Sequence, residues 1–276
     1  MAEPIARKLL VVGGTGFLGL NVCKLAAQRG WETVSLSRKG EPSVFQQKGK
    51  PEWAEKVQWA SGNSLEPESY KEILSGVTDV VHSVGILLER DYKSLAQSQS
   101  LCEVVNKLPG VFLNDHGNPL DSKFENTIRP TYEMMNRDTA ISVANEVAKL
   151  PSIKSFVYIS ASQALPFIDP RYHTTKREAE VHLFRKENFK TIALRPGLMY
   201  DTTRPALAPV VDALKFVNAI TKPFKKDIAS LPGGRVITTP PLGTEQVARA
   251  AIASIEASEH GIFDVDDIER LSYRFT

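Results

Sequence analysis

Tyr172 and Lys176 stand four residues apart in a stretch that reads as helix, so they share one face. A phenol ionises near pH 10, too high for efficient proton transfer at neutrality, and a neighbouring ammonium lowers it by stabilising the phenolate. Such a pair can give a proton to, or take one from, an oxygen bound above it. Just upstream, Tyr158-Ile159-Ser160-Ala161-Ser162 reads as a strand that ends in hydroxyls. Ser162, or Ser160, can hold the substrate oxygen. Tyr172, Lys176, Ser162 and Ser160 are therefore the catalytic candidates, and the chemistry they suit is reduction of a carbonyl or oxidation of an alcohol.

That chemistry needs a hydride carrier. Residues 9–19 are an apolar run that ends in Gly13, Gly14, Thr15, Gly16, Phe17, Leu18 and Gly19. A strand, a glycine turn and a helix start in this order bring bare backbone close to a pyrophosphate. The same strand–turn–helix can also occur with nothing bound. After the second strand come Ser37, Arg38 and Lys39, where an NAD site usually places an acid. Arg38 can grip a 2′-phosphate bidentately and stack on adenine, so NADP(H) is expected ahead of NAD(H). The fourth strand ends in small residues, Ser83, Val84 and Gly85, which leave room for a cofactor. His82 precedes them; inside an apolar strand it reads as a core histidine rather than a base.

Positioning these groups requires alternating strands and helices. Strands are expected at about 8–12, 32–36, 57–60, 79–83, 155–160, 190–195 and 262–265. Helices are expected at about 17–29, 67–75, 132–149, 174–187, 209–221 and 244–256. The pattern predicts an α/β fold: a Rossmann-type doubly wound parallel sheet with a small C-terminal substrate-side lobe. Residues 1–198 form the dinucleotide-binding domain, to which 243–265 return, and 199–242 with 266–276 form the lobe. Residues 86–131 break the rhythm and read as a flexible flap or a tolerated surface insertion.

The length of 276 residues suits one large α/β domain. A net charge of +2 gives no reason to invoke nucleic acid, and two cysteines make no disulfide framework. No metal is expected, no apolar run reaches a membrane span, and the short leader with Glu3 shows no secretory signal or presequence.

Together these motifs, with Leu194-Arg195-Pro196-Gly197, resemble the extended and atypical short-chain dehydrogenases/reductases. Within them the chain is similar to the branch that includes a subunit of respiratory complex I. It is more narrowly similar, through residues 81–89, Tyr132-Glu133-Met134-Met135-Asn136 and residues 176–180, to fungal mitochondrial members of the coenzyme Q biosynthetic complex. The resemblance implies that Asn136 is the structural asparagine of the superfamily. It also implies that Asn63, Ser64, Pro196 and Gly197 face the cofactor, and that Lys176 also contacts its ribose. It implies a location on the matrix side of the inner mitochondrial membrane, a quinone-precursor-like substrate and partners in the coenzyme Q complex. Two departures bear on activity: Ser162 and Tyr172 are only ten residues apart, and Ala161 interrupts the usual serine run. Members that bind cofactor without known turnover make a regulatory or assembly subunit the alternative. The basic helix at 209–221, with Lys215 and the lysines after it, either packs on the domain or touches the membrane.

Overall fold

The structure, a computed structural model, describes residues 7–87, 130–162, 168–201, 208–221, 227–228 and 238–275. Strand β1 (Lys8–Val12) leads through the glycine turn into helix α1 (Gly19–Gln28), then β2 (Glu32–Ser37), α2 (Ser43–Lys48), the single turn α3 (Glu52–Glu55) and β3 (Val57–Ser61). Strand β4 (Asp79–His82) precedes a π-helical turn (Glu133–Asp138) that continues into α4 (Thr139–Val147). Then come β5 (Ser155–Ile159), α5 (Pro170–Phe184), β6 (Lys190–Leu194), β7 (Met199–Tyr200), α6 (Ala208–Thr221), β8 (Leu242–Gly243), α7 (Thr244–Glu256), β9 (Gly261–Phe263) and α8 (Val265–Tyr273).

Seven strands form one sheet in the order β3-β2-β1-β4-β5-β6-β9, every neighbouring pair parallel. Because helices cover both faces, the strands are apolar on both sides. Leu9 and Val11 face one layer with Val22, Ile192, Ile252 and Ile268; Leu10 and Val12 face the other with Val34, Val143, Phe156 and Leu183. The chain reverses its winding direction between β1 and β4, so a crevice opens there at the carboxyl ends of the strands. All seven expected strands are present.

Three expectations need correction. The helix expected at 67–75 is two 3₁₀ turns, Pro67–Ser69 and Lys71–Leu74. Tyr70 between them has φ −139°, and the Ser69 hydroxyl bonds back to the Asn63 and Glu66 carbonyls, so no continuous helix can form. The helix expected from residue 174 starts at Pro170, because the Asp169 carboxylate accepts from the Arg171 amide and proline suits the first helical position. Residues 266–273, assigned from sequence to the lobe, continue from Val265 as helix α8, which buries Val265, Ile268 and Leu271 in the main core. Asp264 starts that helix by accepting from the amides of Asp266 and Asp267. Most of the 86–131 insertion and much of 199–242, including Lys222, Lys225 and Lys226, lie outside the described residues.

The glycine turn is built by close approach. A Cβ on Gly19 would lie 2.2 Å from the Gly13 carbonyl oxygen and 2.8 Å from Ser83 Oγ. Gly13 itself sits at φ +86°. Gly19 is thus the point where α1 rests on the sheet, and Gly19→Ala must push the helix start off β1. The expected cost is about 1–3 kcal/mol of unfolding free energy, read by urea denaturation.

Candidate active site

The crevice starts at the glycine turn. Gly16 is exposed, and a Cβ there would meet only the Gly13 carbonyl oxygen, at 3.0 Å. Gly14 instead packs against Ser35 and Cys23. No side chain caps α1 and no acid lies in its first turn, so its partial positive charge is not neutralised locally. Thr15 and Phe17 line the same turn half-buried, while Leu18 is buried beneath it. Bare backbone beside an uncapped helix start is the cradle a pyrophosphate requires. The residues present therefore fit a dinucleotide.

At the second strand end, Arg38 and Lys39 are exposed and make no ion pair among the described residues. Ser37 Oγ donates to the Gly40 carbonyl and Ser61 Oγ to that of Arg38, which fixes the turn. Asn63 is occupied within its own loop: its Nδ2 donates to Glu66 at 2.7 Å and its Oδ1 accepts from the Leu65 amide. Ser64 lies half-buried beside it. Gly62, which the sequence reading missed, leaves space that a Cβ would fill against Leu36 and the Ser69 carbonyl.

On the other side of the crevice, Ser83 Oγ donates to the Val12 carbonyl, Val84 packs on the core and Gly85 is exposed. His82 is fully buried, stacked on Phe156 and tilted against Tyr158. Burial, reinforced by the nearby Lys176 cation, drives its pKa down to about 3. It is a neutral core residue, as expected from its strand.

Asn136 lies in the π-helical turn and is fully buried. Its side chain accepts from the Ile86 amide at 2.8 Å and donates to the Ile86 carbonyl at 3.1 Å, so it holds the backbone that follows Gly85. Its own carbonyl accepts from the buried Tyr158 hydroxyl. A π turn widens the helix locally and often marks a functional site.

Lys176 is buried, with Nζ donating to the Ile159 carbonyl at 2.8 Å and lying 5.7 Å from the Tyr172 ring centre. A Cβ on Gly85 would sit 3.2 Å from that nitrogen. Burial pulls the Lys176 pKa down to about 7; Glu180 opposes the shift and the Arg177 cation adds to it. Tyr172 is partly buried, its ring edge-on to those of Tyr132 and His173. Burial and Tyr132 raise its phenol above the ordinary value, and Arg177 counters them. The expected lowering by Lys176 is thus not established in this arrangement.

The two serines part company. Ser160 is buried, and its hydroxyl accepts from Arg177 at 2.8 Å. The same guanidinium donates to the Ala161 carbonyl and to Glu180, each at 2.6 Å. Ser160 is therefore tied to the scaffold through Arg177. Ser162 keeps a buried Oγ with no hydrogen-bond partner among the described residues, 3.5 Å from where a Gly197 Cβ would lie. Its amide bonds to the Pro196 carbonyl, which joins the ends of β5 and β6. Arg177 had escaped the sequence reading; its signal was a cation three residues before Glu180, with Arg195 on the next strand to share that carboxylate.

A strand–glycine–helix cradle and a Tyr–Lys pair on one crevice define a family, and comparison with known proteins agrees. Residues 9–98 match the NAD dependent epimerase/dehydratase family. MIOREX complex component 2 of Saccharomyces cerevisiae is 32% identical, over 95% of this chain and 98% of that protein. The chain belongs to the epimerase/short-chain dehydrogenase/reductase family. An uncharacterized chloroplastic protein of Arabidopsis thaliana is 26% identical, over 98% of this chain and 78% of its own. A carbonyl reductase from Pseudomonas aeruginosa PAO1 shares the fold at 14% identity and TM-score 0.54, covering 95% of this chain and 97% of its own. The Bordetella bronchiseptica enzyme WbmH, solved with NAD+, does so at 12% identity and TM-score 0.56, covering 97% and 79%.

The state of His82 predicts an acid limb of stability. The unfolded chain takes up a proton near pH 6.5 and the folded chain only near pH 3, so folding is penalised progressively as pH falls between these values. His82→Phe removes that penalty and keeps the stack on Phe156. Urea unfolding at about pH 7 and about pH 4.5 should show the variant losing about 2–3 kcal/mol less than the parent chain on acidification.

Proposed function

We propose that this chain is an NADP(H)-binding short-chain dehydrogenase/reductase that acts in mitochondrial ubiquinone biosynthesis, transferring hydride to or from a carbonyl or alcohol of a quinone-precursor-like molecule. The observation that carries this reading is the seat of Lys176: buried at the carboxyl end of β5, beside the bare Gly85 and under the Tyr172 ring. A bound nicotinamide dinucleotide supplies hydride to the carbonyl carbon. In that direction Tyr172, neutral because its phenol is held above the ordinary range, gives its proton to the carbonyl oxygen. Ser162 holds that oxygen through its otherwise unpartnered hydroxyl. Lys176 supplies the ribose contact and, when charged, steadies the phenolate left behind. Arg38 and Lys39 receive the 2′-phosphate, for which no acid competes. The family resemblance supports the ubiquinone pathway and the mitochondrial matrix. A relative of nearly the same length that is a component of a complex supports protein partners.

A second reading, a cofactor-binding regulatory or assembly subunit, is favoured by one observation: burial and Tyr132 hold the Tyr172 phenol above its ordinary value, with no lowering from Lys176.

Two substitutions test the proposal. Arg38→Glu should weaken NADPH about 10–100-fold, the effect of one charge-assisted bond, and NADH far less; calorimetric titration of both nucleotides decides it. Equal losses, or a wild-type preference for NADH, overturn the NADP(H) assignment. Tyr172→Phe should cut turnover by about two to four powers of ten while NADPH still binds. In a strain lacking its own copy, full rescue of ubiquinone production by Tyr172→Phe at equal abundance rejects proton transfer by this tyrosine and leaves the scaffold reading.

A further inference from the structure

Tyr132 carries no step of the proposed chemistry, yet it is buried at the site and touches both of its walls. It stands immediately before the π turn. Its hydroxyl donates to the Leu87 carbonyl at 3.0 Å. Asn136 holds the neighbouring residue, accepting from the Ile86 amide and donating to the Ile86 carbonyl. The backbone that runs on from Gly85 is thus pinned at two successive residues by one helical turn. That backbone borders Lys176, since a Cβ on Gly85 would lie 3.2 Å from its Nζ.

The ring of Tyr132 is gripped by the start of α5. It meets the Tyr172 ring edge-on, with centres 6.1 Å apart and planes at 71°, an arrangement that aromatic pairs prefer. The Arg171 guanidinium lies 5.6 Å from the centre of the Tyr132 ring, within cation–π range. Arg171 also donates to both oxygens of Glu133, the residue after Tyr132, at 2.7–3.1 Å. That guanidinium holds the Glu133 carboxyl down to about 2, so the clamp stays charged at neutrality. The Tyr172 ring is bordered by His173 and Lys176 from its own helix and by Tyr132 from the other wall. His173 and Lys176 move with α5; Tyr132 is the contact that fixes the ring against the rest of the site.

We propose that Tyr132 is a positioning residue of this site: its ring sets the aim of the Tyr172 phenol, and its hydroxyl couples that aim to the backbone that follows Gly85. Through one side chain the proton donor and the cofactor-side backbone keep a fixed spacing, which proton and hydride transfer to one carbonyl require. Tyr132 also joins burial in keeping the phenol protonated. Its weight in the reaction rests on the proton-transfer role proposed for Tyr172.

The test reads the Tyr172 ring directly. The full chain is labelled with ring-¹³C tyrosine, the Tyr172→Phe spectrum assigns the Tyr172 signal, and ¹³C relaxation gives its order parameter. Tyr132→Leu removes the ring contact and should lower that order parameter; Tyr132→Phe keeps the ring, loses the Leu87 bond and should lower it less. In NADPH oxidation with cyclohexanone, Tyr132→Leu should reduce kcat about 10–100-fold and Tyr132→Phe about two- to tenfold, with KM for NADPH unchanged. Neither should cost anything further in a Tyr172→Phe background, where a merely structural defect would cost the same again. An unchanged Tyr172 order parameter in Tyr132→Leu, or equal kcat losses in both backgrounds, overturns the inference. Should Tyr132→Leu fail to fold, Tyr132→Phe decides, and an unchanged order parameter there overturns it. A parent chain that oxidises no NADPH, with the Tyr172 ring still loosened by these variants, upholds the positioning role and rejects hydride transfer to this probe instead.

Discussion

The carboxyl end of β5 is held by one buried carboxylate. Glu180 accepts from Arg177 and from Arg195, and Arg177 in turn grips Ser160 and the Ala161 carbonyl. Helix α5, strand β5 and strand β6 are thereby joined at the level of the site. Buried ion pairs contribute little net stability, because desolvation offsets attraction. What this one contributes is position: three elements that carry Tyr172, Ser162 and Gly197 cannot shift independently while two guanidinium groups share one carboxylate. The consequence reaches Lys176. With Glu180 already bound by two arginines, Lys176 is buried without a carboxylate of its own and has only the Ile159 carbonyl. Its charge is accordingly marginal at neutral pH, with a pKa near 7.

That marginal charge changes how the Tyr–Lys pair should be understood. In a site where lysine is always charged, the phenol is permanently lowered and ready for either direction. Here burial raises the phenol and lowers the Lys176 ammonium to about 7, so the resting phenol keeps its proton. A negative group brought close to Lys176 would favour its charged form and, through it, the phenolate. The pair is then conditional on occupancy. The same property allows both proposed roles, since a chain that never receives substrate would keep the pair in its inactive state.

How much of this was legible in the sequence follows from which forces set each feature. The central strands were legible because each is a largely apolar run covered on both faces, and the glycine turn because its spacing is dictated by backbone contact. The 3₁₀ turns before β4 were not, since Ser69 and Tyr70 break the helix through bonds and angles that no periodicity records. Helix α8 was not among the expected helices although Asp264 and Asp267 form a capping box, because a segment of 9 residues carries only a short stretch of helical periodicity. That Tyr172, Lys176, Ser162 and Gly16 lie at the carboxyl ends of the strands was legible from the spacing of the elements that carry them, while their roles are proposals. That Arg177, five residues past Tyr172, turns back to the Ser160 hydroxyl is visible only in the fold.

His82 and His173 show why residue type alone could not sort the histidines. Both are imidazoles with buried, unbonded nitrogens, and burial moves both toward the neutral form. One lies between β1 and β5 with aromatic rings against it, and its lost hydrogen bonds are a cost that the surrounding core offsets. The other lies past the strand end, one helical turn above a guanidinium that marks the last residues of the sheet. The imidazole of His82 is thus a packing residue of the core, whereas that of His173 lies in the first turn of α5 with its ring against Tyr172.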